Sequence, residues 1–187
     1  MPVLPIVTYD DPVLLAKADL VHPDHPDIQT LIDDMFDTMY EADGVGLAAP
    51  QVGYSLRLFV VDADVITEDQ EEAESYGPRV YINPDIEAIG EETWSAEEGC
   101  LSLPEIREKV TRPHRIKIRY QDRDFKTCEE EHEGWFARVL QHEYDHLNGV
   151  LFIDYLGALR KRLIKNNLEE IRLGNVKTEY QLAPKAL

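Results

Sequence analysis

The run Trp135-Phe136-Ala137-Arg138-Val139-Leu140-Gln141-His142-Glu143-Tyr144-Asp145-His146-Leu147-Asn148 reads as a helix, with Gly149 placed to end it in the left-handed conformation. On the N-terminal side of this helix, residues 115–120 (Arg-Ile-Lys-Ile-Arg-Tyr) alternate with period two and lead into Asp122-Arg123-Asp124, the pattern of a strand entering a hairpin turn. Residues 79–83 and 87–94 read as two further strands parted by Pro84, and residues 56–61 as another. Residues 62–77 form a heavily acidic connection, expected to be a solvated excursion. Earlier in the chain, Ile28, Leu31, Ile32, Met35, Phe36, Met39 and Tyr40 recur at helical spacing. They predict an amphipathic helix capped by Asp27 and stopped near Gly44. Residues 44–53 are small or apolar except for Gln51, unlike a solvent-facing loop. After the first helix described, residues 155–173 predict one last helix with Leu156, Leu159, Leu163, Ile164, Leu168 and Ile171 on a single face, closed by Gly174-Asn175.

This order predicts an α+β fold: mixed or antiparallel strands around a central helix carrying His142 and His146, with an N-terminal amphipathic helix and a C-terminal helix. No repeat, low-complexity tract or linker divides the sequence, so residues 1–187 are expected to form one domain.

Charge narrows the function. Nineteen Lys and Arg stand against 37 Asp and Glu, a formal net charge of −18 at pH 7. Such a field repels polyanions, which argues against a specific nucleic-acid partner and against anionic membrane surfaces. No apolar run is long enough to span a bilayer. The first twelve residues hold three prolines and two aspartates, without the basic and apolar blocks of a signal peptide. A cytoplasmic protein is expected. Cys100 and Cys128 are too few for a disulfide scaffold, so each thiol needs its own explanation.

His142 and His146, at i and i+4, lie on one helix face and can reach a single metal ion, with Glu143 placed to handle the proton of an activated water. Two ligands leave a catalytic metal short. A metzincin-like third His would stand six residues after His146, where this chain has Phe152. A thermolysin-like Glu from a later helix is open to Glu169 or Glu170. Cys100, in Glu97-Glu98-Gly99-Cys100-Leu101-Ser102-Leu103-Pro104, is the third candidate, since two glutamates are odd neighbours for an ordinary core cysteine.

Three stretches, in order, resemble the peptide deformylase family: Gly44-Val45-Gly46-Leu47-Ala48-Ala49-Pro50-Gln51, then Glu98-Gly99-Cys100-Leu101-Ser102, then His142-Glu143-Tyr144-Asp145-His146 running into Leu147-Asn148-Gly149. The resemblance implies one divalent metal held by Cys100, His142 and His146. Fe(II) is usual in the family, and zinc, nickel or cobalt can take the same ligands; the donor set alone suggests zinc. It implies hydrolysis of the N-formyl group from the initiator methionine of new polypeptides, releasing formate, with Glu143 as general base and acid. Gln51 and the backbone N–H of Leu101 are implied as donors to the developing oxyanion. Gly46 is implied to offer its backbone to the peptide, its missing side chain letting the ligand approach. Val45, Ala96, Trp135, Arg138 and Val139 match positions that line the methionine pocket, Arg107 one near the peptide chain, and Asp145 with Arg112 a supporting pair.

The implied partners are N-formyl-methionyl nascent peptides, in a bacterial-type cytosol; with a charge of −18, a transient ribosome contact is expected only if Arg160-Lys161-Arg162 and Lys165 on the last helix make a local one. Cys128, beside Glu129-Glu130-Glu131, reads as an incidental thiol. Residues 175–187 carry no decisive pattern and are left between an added strand and an unstructured end. Two other classes stay open from residues alone: a metallopeptidase using Glu169 or Glu170, and a non-enzymatic protein with a structural metal.

Overall fold

A computed structural model describes residues 2–64 and 76–185. Two helices come first: α1 (Pro12–Leu15), where Asp11 accepts from the Val13 N–H, and α2 (Ile28–Glu41). Asp27 occupies the N-cap of α2 without a side-chain capping bond, so its expected capping role is not realised. Nor does Gly44 end this helix by a left-handed turn of its own. Asp43 takes the positive φ of 52°, and the Gly44 N–H then closes back onto Met39 O at 2.9 Å.

Next come β1 (Gly46–Ala48), a 3₁₀ turn (Ala49–Val52) and β2 (Leu58–Val61). All four residues of β2 are apolar because both faces of the strand are covered. Leu58 and Val60 pack with Ile32, Met35 and Met39 of α2, whereas Phe59 and Val61 join the core on the opposite side.

The sheet continues with β3 (Arg79–Ala88), then skips β4 (Thr93–Cys100) and β5 (Leu103–Pro113) before β6 (Arg115–Gln121) and β7 (Thr127–Glu133). Its five strands run in the order β1-β2-β3-β6-β7, each neighbour antiparallel, and β4 pairs with β5 in a separate hairpin. Pro84 does not separate two strands as expected. It falls inside β3 at a register shift between Ile82 and Asp85, with Asn83 at φ 50°, a bulge that needs no N–H from proline.

The helix α3 (Gly134–Leu147) lays Phe136, Ala137, Leu140 and Leu147 against Phe59, Val61, Ile116 and Ile118 of the sheet. It ends through Gly149 at φ 70°, where a Cβ would meet Leu15 O at 2.5 Å, so glycine is required for conformation and for space.

A 3₁₀ turn (Phe152–Tyr155) then leads to two short helices, α4 (Ala158–Leu163) and α5 (Lys165–Leu173), in place of the single helix expected. The break at Ile164 lets Ile164 and Ile171 both reach the cluster of Leu103, Ile106 and Val110. Leu159 and Leu163, expected on that face, are 72% and 60% exposed. The tail pairs through Leu182 with Ile6 in a parallel bridge, an added strand contact rather than an unstructured end. Of the acidic connection, residues 65–75 lie outside the described residues. Among the described residues no helix is long and apolar enough to cross a membrane.

Candidate active site

Different pieces of backbone deliver the three candidate ligands. His142 and His146 project from α3, whose C-terminal end is held by buried Arg57: its Nη1 donates to the last helical carbonyl, Leu147 O, at 3.1 Å and to the Asn148 side-chain Oδ1 at 3.0 Å. Cys100 ends β4 where the hairpin register shifts. The donor atoms of Cys100, His142 and His146 all lie within 4.8 Å of one another, with Cys100 Sγ 3.4 Å from His146 Nε2. No other group of three such donors occurs among the described residues. The thiol and two imidazoles suit one divalent transition metal. Glu98 Oε2 accepts from His142 Nδ1 at 2.9 Å, which leaves Nε2 with its lone pair for an ion.

Glu98 also ties the site together. Arg112 donates to it through Nε at 2.6 Å and Nη2 at 3.0 Å, and Arg138 donates through Nη1. Arg112 Nη1 reaches on to Asp145 Oδ2 at 2.7 Å, so one guanidinium spans β4 and α3. Asp145 also accepts from Tyr155 Oη at 3.0 Å. Burial alone would raise the Glu98 carboxyl, but its bonds to His142 and Arg112 hold it well below the usual carboxylate range. Glu98, Arg112, Arg138 and His142 are buried, and breaking such a buried pair by removing one partner costs about 3–5 kcal/mol.

Glu143 is the second buried carboxylate, and its setting is the reverse. Its Oε2 has no hydrogen-bond partner among the described residues, and burial pushes its carboxyl up to about 7. A group near neutrality can both take and return a proton at physiological pH. Gly46 lies against it, and a Cβ there would stand 2.6 Å from Glu143 Oε1. The missing side chain expected to admit a ligand thus makes room for this carboxylate.

Gln51 is fixed by its own amide. Its Oε1 accepts from the Ala48 N–H at 2.9 Å, which turns Nε2 toward Ser102 Oγ at 3.3 Å and Cys100 Sγ at 3.5 Å. A cavity of about 460 Å³ brings Val45, Gly46, Gln51, Cys100, Leu101, Arg107, Trp135, Arg138, Val139, His142 and Glu143 to one wall or another. His146, Asp145 and Arg112 stand behind that lining.

Two of the expected pocket residues have different surroundings from those anticipated. Ala96 pairs with Val110 within the β4–β5 hairpin and is not among the cavity-lining residues. Arg138 touches the cavity, but its guanidinium is committed to Glu98, Val110 O and Trp94 O and lies 4.3 Å from the Trp94 ring centroid. Trp135, 38% exposed, stands edge-on to Trp94 at 4.9 Å. Glu169 and Glu170 are exposed, bonded to Arg172 and Asn175, and a third donor from α5 is not what the fold provides. Sequence reading had noticed Glu98 as an odd neighbour of Cys100 without seeing its partners. The stretch Glu98-Gly99-Cys100-Leu101-Ser102 carries Ser102 but not its bond to Gln51, and Tyr180 gives no local signal.

Three donors beside a buried carboxylate, two of them (Cys100 and His142) lining the cavity and His146 just behind it, have the composition of a mononuclear metallohydrolase and not of a closed structural site. Comparison with known proteins is narrower. The profile of the polypeptide deformylase family matches residues 3–162. A peptide deformylase of Salinibacter ruber is 50% identical, the match covering 98% of this chain and 95% of that protein. Among solved structures, a peptide deformylase from Legionella pneumophila aligns with a TM-score of 0.80 at 41% identity, over 94% of this chain and 99% of that one. Another, from Ehrlichia chaffeensis in complex with actinonin, aligns at 0.82 and 39%, over 95% and 100%. The chain belongs to the peptide deformylase family, whose members are metal-dependent hydrolases.

Proposed function

We propose that Cys100, His142 and His146 hold one divalent metal ion and that with it the chain removes the N-formyl group from the initiator methionine of newly made polypeptides, releasing formate. The observation that carries this is the convergence of three donors within 4.8 Å beside the unpaired, buried Glu143 carboxylate. A metal in that position supplies a hydroxide nucleophile at neutral pH and Lewis-acid polarisation of the carbonyl under attack. Resemblance assigns Fe(II) as the resident ion, with zinc, nickel or cobalt able to occupy the same donors.

The protein's own groups then act in turn. Glu143 accepts the proton of the attacking water and delivers it to the departing amine nitrogen, so that formate and a free amino terminus leave. Gln51 Nε2, pointed by the Ala48 bond, donates to the oxygen that gains negative charge, together with the Leu101 N–H. Arg107, exposed and without a hydrogen bond or ion pair among the described residues, stands where it can meet the carbonyls of the peptide. Val45, Trp135 and Val139 give the methionine side chain an apolar wall. β1 is an edge strand of the five-stranded sheet, which supports the addition of an extended peptide alongside Gly46. Arg112, with Asp145 and Glu98, keeps the His142 imidazole in place.

The chain is read as one catalytic domain with the α3 helix at its centre, acting in the cytosol. Any ribosome contact falls to Arg160, Lys161, Arg162 and Lys165. The test is formate release from N-formyl-Met-Ala-Ser by protein purified without oxygen, with N-acetyl-Met-Ala-Ser and an internal peptide bond as controls. Formate release with both controls untouched is the expected result. Cleavage of the internal bond would overturn the reading.

A further inference from the structure

Residues 176–185 follow the last helix and lie beyond the 3–162 stretch matched by the family profile, yet they reach the active-site cavity. The Ile6 N–H donates to Gln181 O at 2.9 Å, the Ala183 N–H donates to Ile6 O at 2.8 Å, and Lys185 Nζ donates to Tyr9 O at 2.6 Å. The same N-terminal segment continues into the site: the Val7 N–H donates to Gln51 O at 2.8 Å and the Tyr9 N–H to Ser102 O at 2.9 Å. Residues 6–9 therefore join the tail to both segments that carry the oxyanion donors.

Leu101 and Ser102 form the two-residue turn between the paired Cys100 and Leu103. The direction of the Leu101 N–H follows from the dihedral angles of that turn. Tyr9 holds it at Ser102. Tyr180 holds it at Leu101, where the phenol donates to the carbonyl oxygen at 2.8 Å, and the same side chain forms part of the cavity wall.

We propose that Tyr180 is a positioning residue: its hydroxyl holds the Leu101 carbonyl and so restrains the Leu101 dihedral angles that aim the Leu101 N–H, on the preceding peptide unit, at the formyl oxygen, and its ring bounds the cleft that takes the peptide. This rests on the deformylase reading above. The hydroxyl and the ring do separable things, so two variants of the full chain, metal-loaded and free of oxygen, read them apart. Tyr180→Phe keeps the wall and loses the donor. Its kcat on N-formyl-Met-Ala-Ser is expected to fall about 3- to 10-fold, the worth of one hydrogen bond, with KM and metal content unchanged. Tyr180→Ala is expected to show the same fall in kcat and a rise in KM that Phe does not show. A Tyr180→Phe enzyme with wild-type kcat would overturn the proposal, as would a folded Tyr180→Ala enzyme with wild-type KM. If Tyr180→Ala fails to fold, the Phe variant alone decides. Wild-type protein that releases no formate would overturn the deformylase reading and this proposal together, whereas active wild type with an indifferent Phe variant overturns Tyr180 alone.

Discussion

Gly46 and Glu143 compete for the same volume, and the chain resolves the competition by giving one of them no side chain. A Gly46→Ala change is therefore expected to displace the carboxylate and lower kcat by about 10²-fold, within the range contributed by a general base, while the protein still binds metal. Steady-state kinetics with metal analysis on the same sample checks this, and wild-type kcat would show that the carboxylate has room to move. Glu98→Gln removes the charge that Arg112, Arg138 and His142 share. It should weaken metal binding about 10- to 100-fold and lower the unfolding free energy by about 3–5 kcal/mol, as read by metal titration and urea melts. At this scale the sequence exposed the ligands because each sits in a motif whose spacing states its chemistry. It hid the role of Glu98 because its partners come from 14, 40 and 44 residues away, and no local pattern records such pairings.

The elements were legible where one face is apolar and the other polar, as in α2 and β6, and obscure where burial and polarity part company. The hairpin of β4 and β5 was not read because Glu98, Glu108 and Arg112 are buried among its interior positions, so its alternation is not one of hydrophobicity. The last helix was read as one because Leu159 and Leu163 extend an apolar stripe that the break at Ile164 leaves in solvent. Leu159→Lys should therefore change stability by less than about 0.5 kcal/mol, and Ile171→Ala, at a fully packed position, should cost about 2–4 kcal/mol. Equal costs in thermal or urea unfolding would mean that α4 packs in solution. The β6–β7 hairpin adds a pH term. Burial opposes ionisation of Glu130, but His132, Arg79 and Tyr120 together hold its carboxyl below the value of 4.5 that it would have in the unfolded chain. Its contribution to stability is therefore complete above pH 4.5 and is lost as pH falls through the lowered native value. Glu130→Gln should flatten the acid limb of a stability-against-pH curve, and an unchanged limb would place the acid sensitivity elsewhere.

For the whole molecule, a net charge of −18 means that like charges repel throughout the native surface. Raising NaCl from about 0.02 to 0.5 M shortens the screening length from roughly 20 Å to a few ångströms. The melting temperature is expected to rise across that range, and a flat profile would show that the charges are already paired. The sequence anticipated that excess but not the closure of the fold, in which the N-terminal segment and the tail meet behind Gln51 and Ser102. The account depends on Cys100 sharing an ion with His142 and His146, and the metal content of the Cys100→Ala protein beside that of Glu143→Gln tests it most directly. Elemental analysis of anaerobically purified samples should find about one ion per chain in Glu143→Gln, as in the wild type, and almost none in Cys100→Ala. A Cys100→Ala protein that keeps a full equivalent of metal would contradict it.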